Sequence, residues 1–526
     1  MNRDHSLHVA MTETTPWDVL VIGGGATGLG SAVDSASRGY RTLLVEQADF
    51  AKATSSRSTK LVHGGVRYLQ QGNLSLVLEA LKERGRMLRN APHLVRRQSF
   101  IIPAYALWQV PFYGIGLKMY DALSGSSSFG RSSMLSKSAV RSMLPTIVDR
   151  NLAGGVEYFD GQFDDARYAL ALAQTLESLG GTAINYTRMV RLIKTNGKLS
   201  GAVLRDEETG DEFEVRARAI LNATGIFTDD VRRVDDPSAT AILSVSQGSH
   251  FVLAKEFLPG ANALMVPKTK DGRVLFAIPW HNHVVVGTTD DAVPAPSLEP
   301  RAMQIERDFL REHIEFYFDR KLNDSDILSV WSGQRPLVRK QGASNTAALS
   351  REHTVLVAPS GLVSITGGKW TTYRRMAEDA IDIVAKRAAL PPVVCRTSSL
   401  HLHGWLEEPN DDRHPLAPYG SDMPAIDAVA ASSSALAAPI HPRLPYRLAE
   451  VAWAARHEMA RTVEDVLSRR MRCLFLDARA ALEAASTVAA CLASELGRDA
   501  EWQQSQLASF TAIASTYIYN DQSVQH

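Results

Sequence analysis

The stretch DVLVIGGGATG, from Asp18 to Gly28, decides the fold of this 526-residue chain. Its apolar run VLVI is typical of a strand buried in a parallel sheet, and it leads through a glycine turn into a predicted helix. A second apolar run, TLLVE, ends at Glu46. The order strand, glycine turn, helix and strand over residues 17–46 predicts a Rossmann-like βαβ unit.

The glycines of this turn follow the pattern G-x-G-x-x-G, which predicts a site for an adenine dinucleotide. Gly23 permits the tight turn, Gly25 lets the backbone approach a pyrophosphate, and Gly28 lets helix and strand pack closely. The helix N-terminus favours the anion. Glu46 is expected to accept hydrogen bonds from a ribose hydroxyl. A glycine turn that serves only chain reversal is the alternative.

A second glycine turn lies in ITGGKWTTYR, Ile365 to Arg374, more than three hundred residues further along the chain. A nicotinamide site is usually completed within one compact unit, so this distant second segment indicates FAD. Gly367 and Gly368 precede a helix that is predicted from Trp370. Its N-terminus could stabilise negative charge on the N1–C2=O edge of a reduced flavin, although a plain turn would have the same sequence.

Segments between these two turns add further candidates for cofactor binding. TSSRSTKLVHGG, Thr54 to Gly65, could run beside a pyrophosphate, ribityl chain and flavin ring, although a serine-rich surface loop would look similar. The tripeptide ATG at residues 223–225 follows a predicted strand. Covalent attachment of the flavin is left open, with His63 as the candidate anchor. The residues expected to contact the cofactor in the later segments are Thr54, Ser55, Ser56, Ser58, Lys60, His63, Gly64, Ala223, Gly225, Gly368 and Thr371.

Charge and composition argue against several classes of function. Lys+Arg and Asp+Glu are both 57, and this balance argues against nucleic acid as the main partner. The three cysteines form no CxxC pair, which fits a reducing compartment without a disulfide framework. The His-x-His pairs at 281–283 and 401–403 lack nearby cysteines or carboxylate arrays, so no metal site is expected. Neither a signal peptide nor a membrane-spanning run is seen.

The order of predicted elements indicates an α/β fold, α+β overall, in which the cofactor-binding domain is discontinuous. A mostly antiparallel sheet interrupts that domain, and an all-α region follows it. Arg469 and Arg470 are interpreted as surface charge, with contact to an anionic membrane as the alternative. The expected divisions are a disordered tail at 1–16, an FAD-binding domain at 17–97, 151–235 and 346–395, a substrate domain at 98–150 and 236–345, a linker at 396–446 and a helical C-terminal domain at 447–526.

Several motifs together resemble the FAD-dependent glycerol-3-phosphate dehydrogenases, within the larger D-amino-acid-oxidase-like family of FAD oxidoreductases. The specific runs are HGGVRYLQ and GGKWTTYR, since the glycine fingerprint alone occurs in many flavoproteins. This chain departs from the family at Ile226-Phe227, where Pro-Trp is common, and altered loop packing is expected there. Other matching runs are TSSRSTKLVHGG, DDARY, LNATG, QGSHFVL, VVVGTTDD, SGQRPLV and the C-terminal EMARTVEDVLSRRMRCLFLDARAA.

The resemblance implies oxidation of sn-glycerol 3-phosphate to dihydroxyacetone phosphate. A phosphate dianion requires cations, and arginine offers a rigid fork of donors. The residues that the motifs place at the substrate are Arg67, Tyr68, Arg335, Arg351 and Lys369, although a solvated ion pair is the alternative for any one arginine.

His250 is the expected base, because imidazole titrates near neutral pH. A core histidine satisfied by the backbone is the alternative reading of His250. Arg335 could instead stabilise an alkoxide, although it is a poor base because it stays protonated.

Electrons are expected to pass from the flavin to a quinone, as the resemblance implies. That reaction requires peripheral contact of a cytoplasmic protein with the inner face of the cytoplasmic membrane, and a homodimer is also considered. The alternatives are an oxidase that uses O2, an oxidase of another hydroxy or amino substrate, and a flavoprotein without turnover. The cations Arg67, Arg335 and Lys369 favour a phosphorylated substrate over an amino acid.

Overall fold

Two β-sheets and a set of C-terminal helices make up the fold. The computed structural model describes residues 1–65, 73–125, 129–269, 271–339, 353–411 and 414–520. The strands in these residues are β1 (Trp17–Ile22), β2 (Thr42–Val45), β3 (Leu61–Val62), β4 (Val95–Ala104), β5 (Ser133–Ser136), β6 (Gly154–Phe163), β7 (Thr182–Ile184), β8 (Thr187–Thr195), β9 (Lys198–Asp206), β10 (Glu212–Asn222), β11 (Leu243–Ala254), β12 (Ala263–Val266), β13 (Leu275–Trp280), β14 (His283–Gly287), β15 (Asp291–Val293), β16 (Ile327–Val338), β17 (His353–Val357) and β18 (Val363–Gly367).

Helices surround the first sheet and form most of the C-terminal region. They are α1 (Arg3–Thr12), α2 (Ala26–Ser37), α3 (Leu74–Asn90), α4 (Gln109–Ser124), α5 (Lys137–Met143), α6 (Asp165–Ser178), α7 (Thr228–Asp235), α8 (Gln304–Tyr317), α9 (Tyr373–Arg387), α10 (Met423–Ala431), α11 (Ser434–Ala437), α12 (Leu448–His457), α13 (Cys473–Leu476), α14 (Ala478–Leu496) and α15 (Ala500–Ala514). None of these helices combines the length and the apolar composition that crossing a bilayer requires.

The first sheet confirms the predicted Rossmann-like unit. Its strand order is β17-β18-β10-β1-β2-β7, and the hairpin β8-β9 continues from β10. Strand β1 pairs in parallel with β2 and β10, and β10 pairs in parallel with β18. Helices α2 and α9 pack against each other, since a Cβ atom at Gly30 would lie only 2.6 Å from the ring of Tyr373. The distant segment after residue 363 therefore belongs to the same sheet as the glycine fingerprint.

The second sheet is mostly antiparallel, as predicted, and is ordered β15-β11-β14-β13-β12-β4-β6-β3. Strand β16 pairs along most of β11, and β5 pairs with β6. Strands β3 and β6 differ from the expected division, because both were assigned to the FAD-binding domain and both lie in this sheet. Pairing partners depend on contacts distant in sequence, which a local apolar pattern does not specify.

The N-terminal segment is not the disordered tail that its polar sequence suggested, because residues 3–12 form helix α1. Its buried positions are Arg3, Ser6 and Ala10, which share a helix face without forming an apolar stripe. The Arg3 guanidinium forms a buried ion pair with Asp206, and its Nε donates to the Asn185 carbonyl oxygen at 3.1 Å. Paired charge therefore adds to the apolar contacts of Ala10 and Val9 in docking this helix.

The expected linker at 396–446 is also folded. Helices α10 and α11 lie within it, and Ile426 and Ala430 contribute to a small core with Trp453 of α12. The proline- and alanine-rich composition that suggested a linker is compatible with helix, because alanine is the best helix former and proline is tolerated in a first turn. Arg469 and Arg470 are likewise not surface charge, since they are only 1% and 2% exposed.

Replacing Arg3 with Met should lower the free energy of unfolding by roughly 3–5 kcal/mol, because Asp206 would lose its partner in a buried ion pair. Arg205→Met removes only an exposed pair with Glu212 and should leave stability close to wild type. Urea unfolding followed by tryptophan fluorescence measures both variants. An Arg3→Met midpoint equal to that of wild type would show that α1 is not held by this pair.

Candidate cofactor and substrate site

The first glycine turn is shaped by contacts that exclude side chains. Gly23 follows β1 with a φ of +111°, a conformation that residues with a side chain rarely adopt. A Cβ atom at Gly28 would lie 1.8 Å from the Gly23 carbonyl oxygen, so only glycine fits there. Gly25 is the N-cap of α2, and the next amide, Ala26 N, donates to Ser55 Oγ at 2.9 Å. The turn and the hydroxyl-rich segment are thus joined directly.

Glu46 stabilises this turn as well as facing the cavity beside it. Its Oε2 accepts a hydrogen bond from Gly24 N at 2.6 Å, and its Oε1 accepts one from Ala48 N at 3.0 Å. Burial of the carboxyl group raises the pKa of Glu46, and the two backbone donors oppose that effect. The residue keeps the loop after β2 close to the glycine turn.

The second glycine turn follows β18 and meets the first. Gly367 and Gly368 have φ values of +81° and +70°, and a short 3₁₀ turn then leads into α9. The indole Nε1 of Trp370 donates to the Ser55 carbonyl oxygen at 2.9 Å. His63 N donates to Thr371 Oγ1 at 3.2 Å. Two direct hydrogen bonds therefore join the segments after β2 and after β18.

A cavity of about 630 Å³ lies between these segments, within the volume range of cofactor sites. The first residues of α2, Ala26 and Thr27, line it, as a pyrophosphate at a helix N-terminus would require. Gln47, Lys52 and Arg188 also line it, and the sequence interpretation had missed them. The expected site residues in the lining are Gly23, Gly25, Glu46, Thr54, Ser55, Ala223, Gly225, Gly368 and Lys369. The residues present therefore fit an extended anionic cofactor such as FAD.

The side chains of Ser56, Ser58 and Lys60 do not line this cavity, contrary to expectation. The Lys60 ammonium is fully buried, 2.8 Å from Asp165 Oδ2 and 2.7 Å from the Ser56 carbonyl oxygen. Burial lowers the pKa of Lys60 to about 7, and the neighbouring Arg472 adds to this effect. Ser58 and Lys60 hold the loop on the side away from the cavity, because their side chains both donate hydrogen bonds to Asp165.

Gly64, His63 and Thr371 also lie outside the cavity lining, close to its edge. Gly64 N donates to the Tyr120 hydroxyl at 2.9 Å, and a Cβ atom at Gly64 would lie 2.3 Å from the same oxygen. Arg67, Tyr68 and Arg351 fall outside the residues that the structure describes, so their predicted substrate contacts stay predictions.

The second sheet brings His250 and Arg335 onto one face. Strands β11 and β16 pair His250 with Trp331 and Ser246 with Arg335, and alternate residues of a strand share a face. The His250 ring stacks on Trp331 with centroids 4.0 Å apart, and its Nε2 lies 2.9 Å from Thr59 Oγ1. Its Nδ1 has no hydrogen-bond partner among the described residues.

Burial keeps His250 neutral. It holds the pKa of His250 well below the usual 6.5, and the nearby Arg335 charge lowers it further. The two contacts of the ring, with Trp331 and Thr59, were not foreseen. Thr59 lies within one matching motif and Trp331 precedes another, but neither the fold of the loop nor the strand register that brings them to the histidine is visible in the sequence.

The guanidinium group of Arg335 lies against the backbone of Gly248. A Cβ atom at Gly248 would lie 2.4 Å from Arg335 Nη2, so the missing side chain makes room for the guanidinium. Nη2 donates to Thr288 Oγ1 at 3.1 Å, and Nη1 lies 3.3 Å from Asp290 Oδ1. The Arg335 side chain remains 28% exposed. His250 and Arg335 lie outside the cavity lining found in the described residues.

Gly28→Ala should abolish uptake of FAD, because the added methyl group would overlap the Gly23 carbonyl oxygen and force the turn apart. Gly116→Ala is the control, since a Cβ atom there meets no other atom within 4 Å. Absorbance of the dialysed proteins after incubation with FAD measures retention. Normal FAD content in Gly28→Ala would contradict the assignment of this turn to the cofactor.

Comparison with known proteins places the chain in a family. Residues 18–374 match the model of the FAD dependent oxidoreductases, and residues 403–503 match that of the C-terminal domain of alpha-glycerophosphate oxidase. The human mitochondrial glycerol-3-phosphate dehydrogenase is 39% identical over 95% of this chain and 73% of its own length. The enzyme of that name from Mesocricetus auratus is 38% identical over 97% and 74%.

A solved structure agrees over the whole fold. The glycerol-3-phosphate dehydrogenase of Bacillus halodurans, complexed with FAD, superposes with a TM-score of 0.81 at 27% identity and covers 99% of both chains. The resemblance inferred from the motifs and the predicted fold class are confirmed. This chain therefore belongs to the FAD-dependent oxidoreductases and, within them, to the glycerol-3-phosphate dehydrogenases.

Proposed function

We propose that this chain oxidises sn-glycerol 3-phosphate to dihydroxyacetone phosphate and delivers the electrons to a quinone. The first part follows from its family, in which relatives named for that substrate match nearly the whole chain. The observation that carries the proposal is the hydrogen bond from Trp370 to Ser55, which joins the two cofactor segments beside one cavity. When bound, FAD supplies the acceptor for the hydride that leaves C2 of the substrate.

His250 is proposed to take the proton from the C2 hydroxyl group. A base must be unprotonated at working pH, and burial keeps this imidazole neutral. The contacts with Thr59 and Trp331 hold its ring in one orientation. A neutral imidazole has one nitrogen that can accept a proton, and Nδ1 is the ring nitrogen without a hydrogen-bond partner among the described residues.

Arg335 and Lys369 are proposed to bind the anionic parts of the substrate. Lys369 lines the cavity at the second glycine turn, and Arg335 lies on the same sheet face as His250. Arg335 remains protonated, so it can stabilise negative charge on the C2 oxygen as the proton leaves. With Arg67, Tyr68 and Arg351, these cations would select a phosphate ester over glycerol or an amino acid.

A second candidate is an oxidase that passes electrons to O2. The match of residues 403–503 to a domain named for alpha-glycerophosphate oxidase favours it. Peroxide formed in air with glycerol 3-phosphate, without quinone or dye, would identify the oxidase. Peroxide-free turnover that requires an added quinone would identify the dehydrogenase.

The flavin of the holoenzyme should lose its yellow absorbance when glycerol 3-phosphate is added without oxygen, whereas glycerol and an amino acid should leave it unchanged. Arg335→Ala, Lys369→Ala and His250→Gln should slow this reduction by about 100-fold while FAD stays bound, because each removes a group that acts on the transition state. Stopped-flow absorbance measures the rate. Lys386→Ala, an exposed change in α9, is the control.

Two results would contradict this assignment. A flavin that stays oxidised with excess glycerol 3-phosphate would favour the flavoprotein without turnover. Loss of FAD from both Arg335→Ala and Lys369→Ala would assign these residues to the cofactor and not to the substrate.

Contact with the inner face of the cytoplasmic membrane is proposed for helix α4 and the turn before it. Apolar side chains are exposed on this surface, which is defined by Leu107, Trp108, Phe112, Ile115 and Met119 at 81%, 64%, 56%, 62% and 54% exposure. Exposed apolar patches of this kind mark membrane or protein contacts, and tryptophan prefers the interface of a bilayer. A quinone dissolved in the membrane would be reached from such a surface.

Trp108→Ser with Phe112→Ser should lower binding to anionic phospholipid vesicles and activity with a membrane quinone, while activity with a soluble dye stays unchanged. Both changes remove apolar area from the proposed contact. Val394→Ser, which removes an 85% exposed apolar side chain elsewhere, is the control. Vesicle flotation measures binding. Unchanged flotation together with a lost homodimer would assign the surface to a second copy of the chain.

A further inference from the structure

One wall of the cofactor cavity is the cofactor segment, residues 46–56, which runs from the end of β2 to the short 3₁₀ turn at Thr54–Ser56. Glu46, Lys52 and Ser55 line the cavity from this segment. Between them, Asp49 faces away from the cavity and is fully buried. The segment contains little regular structure, so contacts on its outer side add to those with the glycine turns in fixing its shape.

Two arginines of the C-terminal region hold Asp49. Its Oδ2 contacts both Arg469 Nε and Arg470 Nη1, and its Oδ1 accepts from Arg470 Nη2 at 3.0 Å. Asn185 Nδ2 donates to Oδ1 at 3.1 Å. The arginines outweigh the effect of burial and lower the pKa of the Asp49 carboxyl. More than four hundred residues separate the partners in sequence, so this contact docks the C-terminal helices on the cofactor segment.

The same arginine run reaches the cofactor segment at two further points. Arg469 Nη1 lies 2.7 Å from Glu464 Oε1, and Glu464 Oε2 lies 2.5 Å from the Nζ of Lys52, which lines the cavity. Arg472 Nη2 donates to the Ser56 carbonyl oxygen at 2.8 Å. The middle and the end of the segment are therefore both tied to the C-terminal region.

This network contains equal numbers of positive and negative side chains, so removing any one of them leaves the remaining charges unbalanced. The cations Arg469, Arg470 and Lys52 face the carboxylates of Asp49, Glu464 and Asp465. Asp49, Asp465, Arg469 and Arg470 are buried, whereas Lys52 and Glu464 keep some contact with water. Removing one partner of a buried pair leaves an uncompensated charge, which the chain relieves by moving the less rigid partner. Here that partner is the irregular cofactor segment.

We propose that Arg469, Arg470 and Arg472 are positioning residues that hold the cofactor segment in the conformation that binds FAD. The proposal rests on FAD binding as part of the proposed function. It gives the C-terminal helices a role that the cavity lining alone does not reveal. If the cofactor segment adopts the FAD-binding conformation in only about one-tenth of the molecules, the apparent FAD dissociation constant rises about tenfold.

The test compares full-length apoproteins from which FAD has been removed. Asp49→Asn keeps the side-chain shape but removes the charge that both arginines contact. Glu464→Gln is a milder variant that weakens only the tie to Lys52 and Arg469. Arg38→Gln is the matched control, because it breaks a buried pair with Asp34 of α2, and no ion pair of the described residues joins either partner to the cofactor segment or to the three arginines.

Quenching of flavin fluorescence gives the FAD dissociation constant, and thermal unfolding of the same apoproteins gives their stability. Asp49→Asn should raise the dissociation constant by about tenfold or more and Glu464→Gln by less. Arg38→Gln should lower the unfolding midpoint and leave FAD affinity near wild type, which separates positioning from stability.

Wild-type affinity in a folded Asp49→Asn protein would overturn the proposal. If Asp49→Asn does not fold, an unchanged dissociation constant in Glu464→Gln would overturn it. A wild-type protein that cannot bind FAD would instead refute the proposed function.

Discussion

Parallel pairing in the first sheet makes four distant parts of the chain turn at one edge. Ile22 is in register with Val45 on one side and Asn222 on the other, and Asn222 is in register with Ser364. Strands β1, β2 and β10 therefore end at the same level, and β18 continues three residues further to Gly367. The carboxyl edge of a parallel sheet is where ligands bind in such folds. Cavity, glycine turns and cofactor segment all depend on this register.

Paired charge maintains the loops around that edge. Asp165 pairs with Lys60 and Arg472 behind the hydroxyl-rich loop, and Asp49 pairs with two arginines behind the cofactor segment. Buried ion pairs add little net stability compared with apolar packing, but they restrict which arrangement the chain can adopt. His250 is the contrasting case, since burial disfavours its charged form and keeps it neutral.

Local patterns predicted the parts of the site that local geometry controls. Gly23 and Gly28 could be assigned from the sequence because Gly23 needs a positive φ and a side chain at Gly28 would meet the Gly23 carbonyl oxygen of the same turn. Lys60 was misassigned because a polar loop that binds a ligand and a polar loop that satisfies itself have the same composition. Helix α1 could not be predicted from an apolar pattern, because its buried face carries Arg3 and Ser6 and has no apolar stripe.

The contacts that sequence reasoning missed lie between elements far apart in the chain. Arg470 is indistinguishable from a surface residue until its partner, Asp49, is known. Likewise the stacking of Trp331 on His250 depends on the register of two strands, and no local signal sets that register. The role of such residues can be inferred only when their contact partner is known, whereas the glycine fingerprint is complete within eleven consecutive residues.

Hydrogen–deuterium exchange of the full-length protein with and without FAD tests most directly whether the two glycine turns share one ligand. Amides in residues 23–30 and in residues 365–372 should both exchange more slowly when FAD is bound, since both turns border one cavity. Protection confined to residues 23–30 would contradict the account, because the segment after β18 would then contribute nothing to cofactor binding.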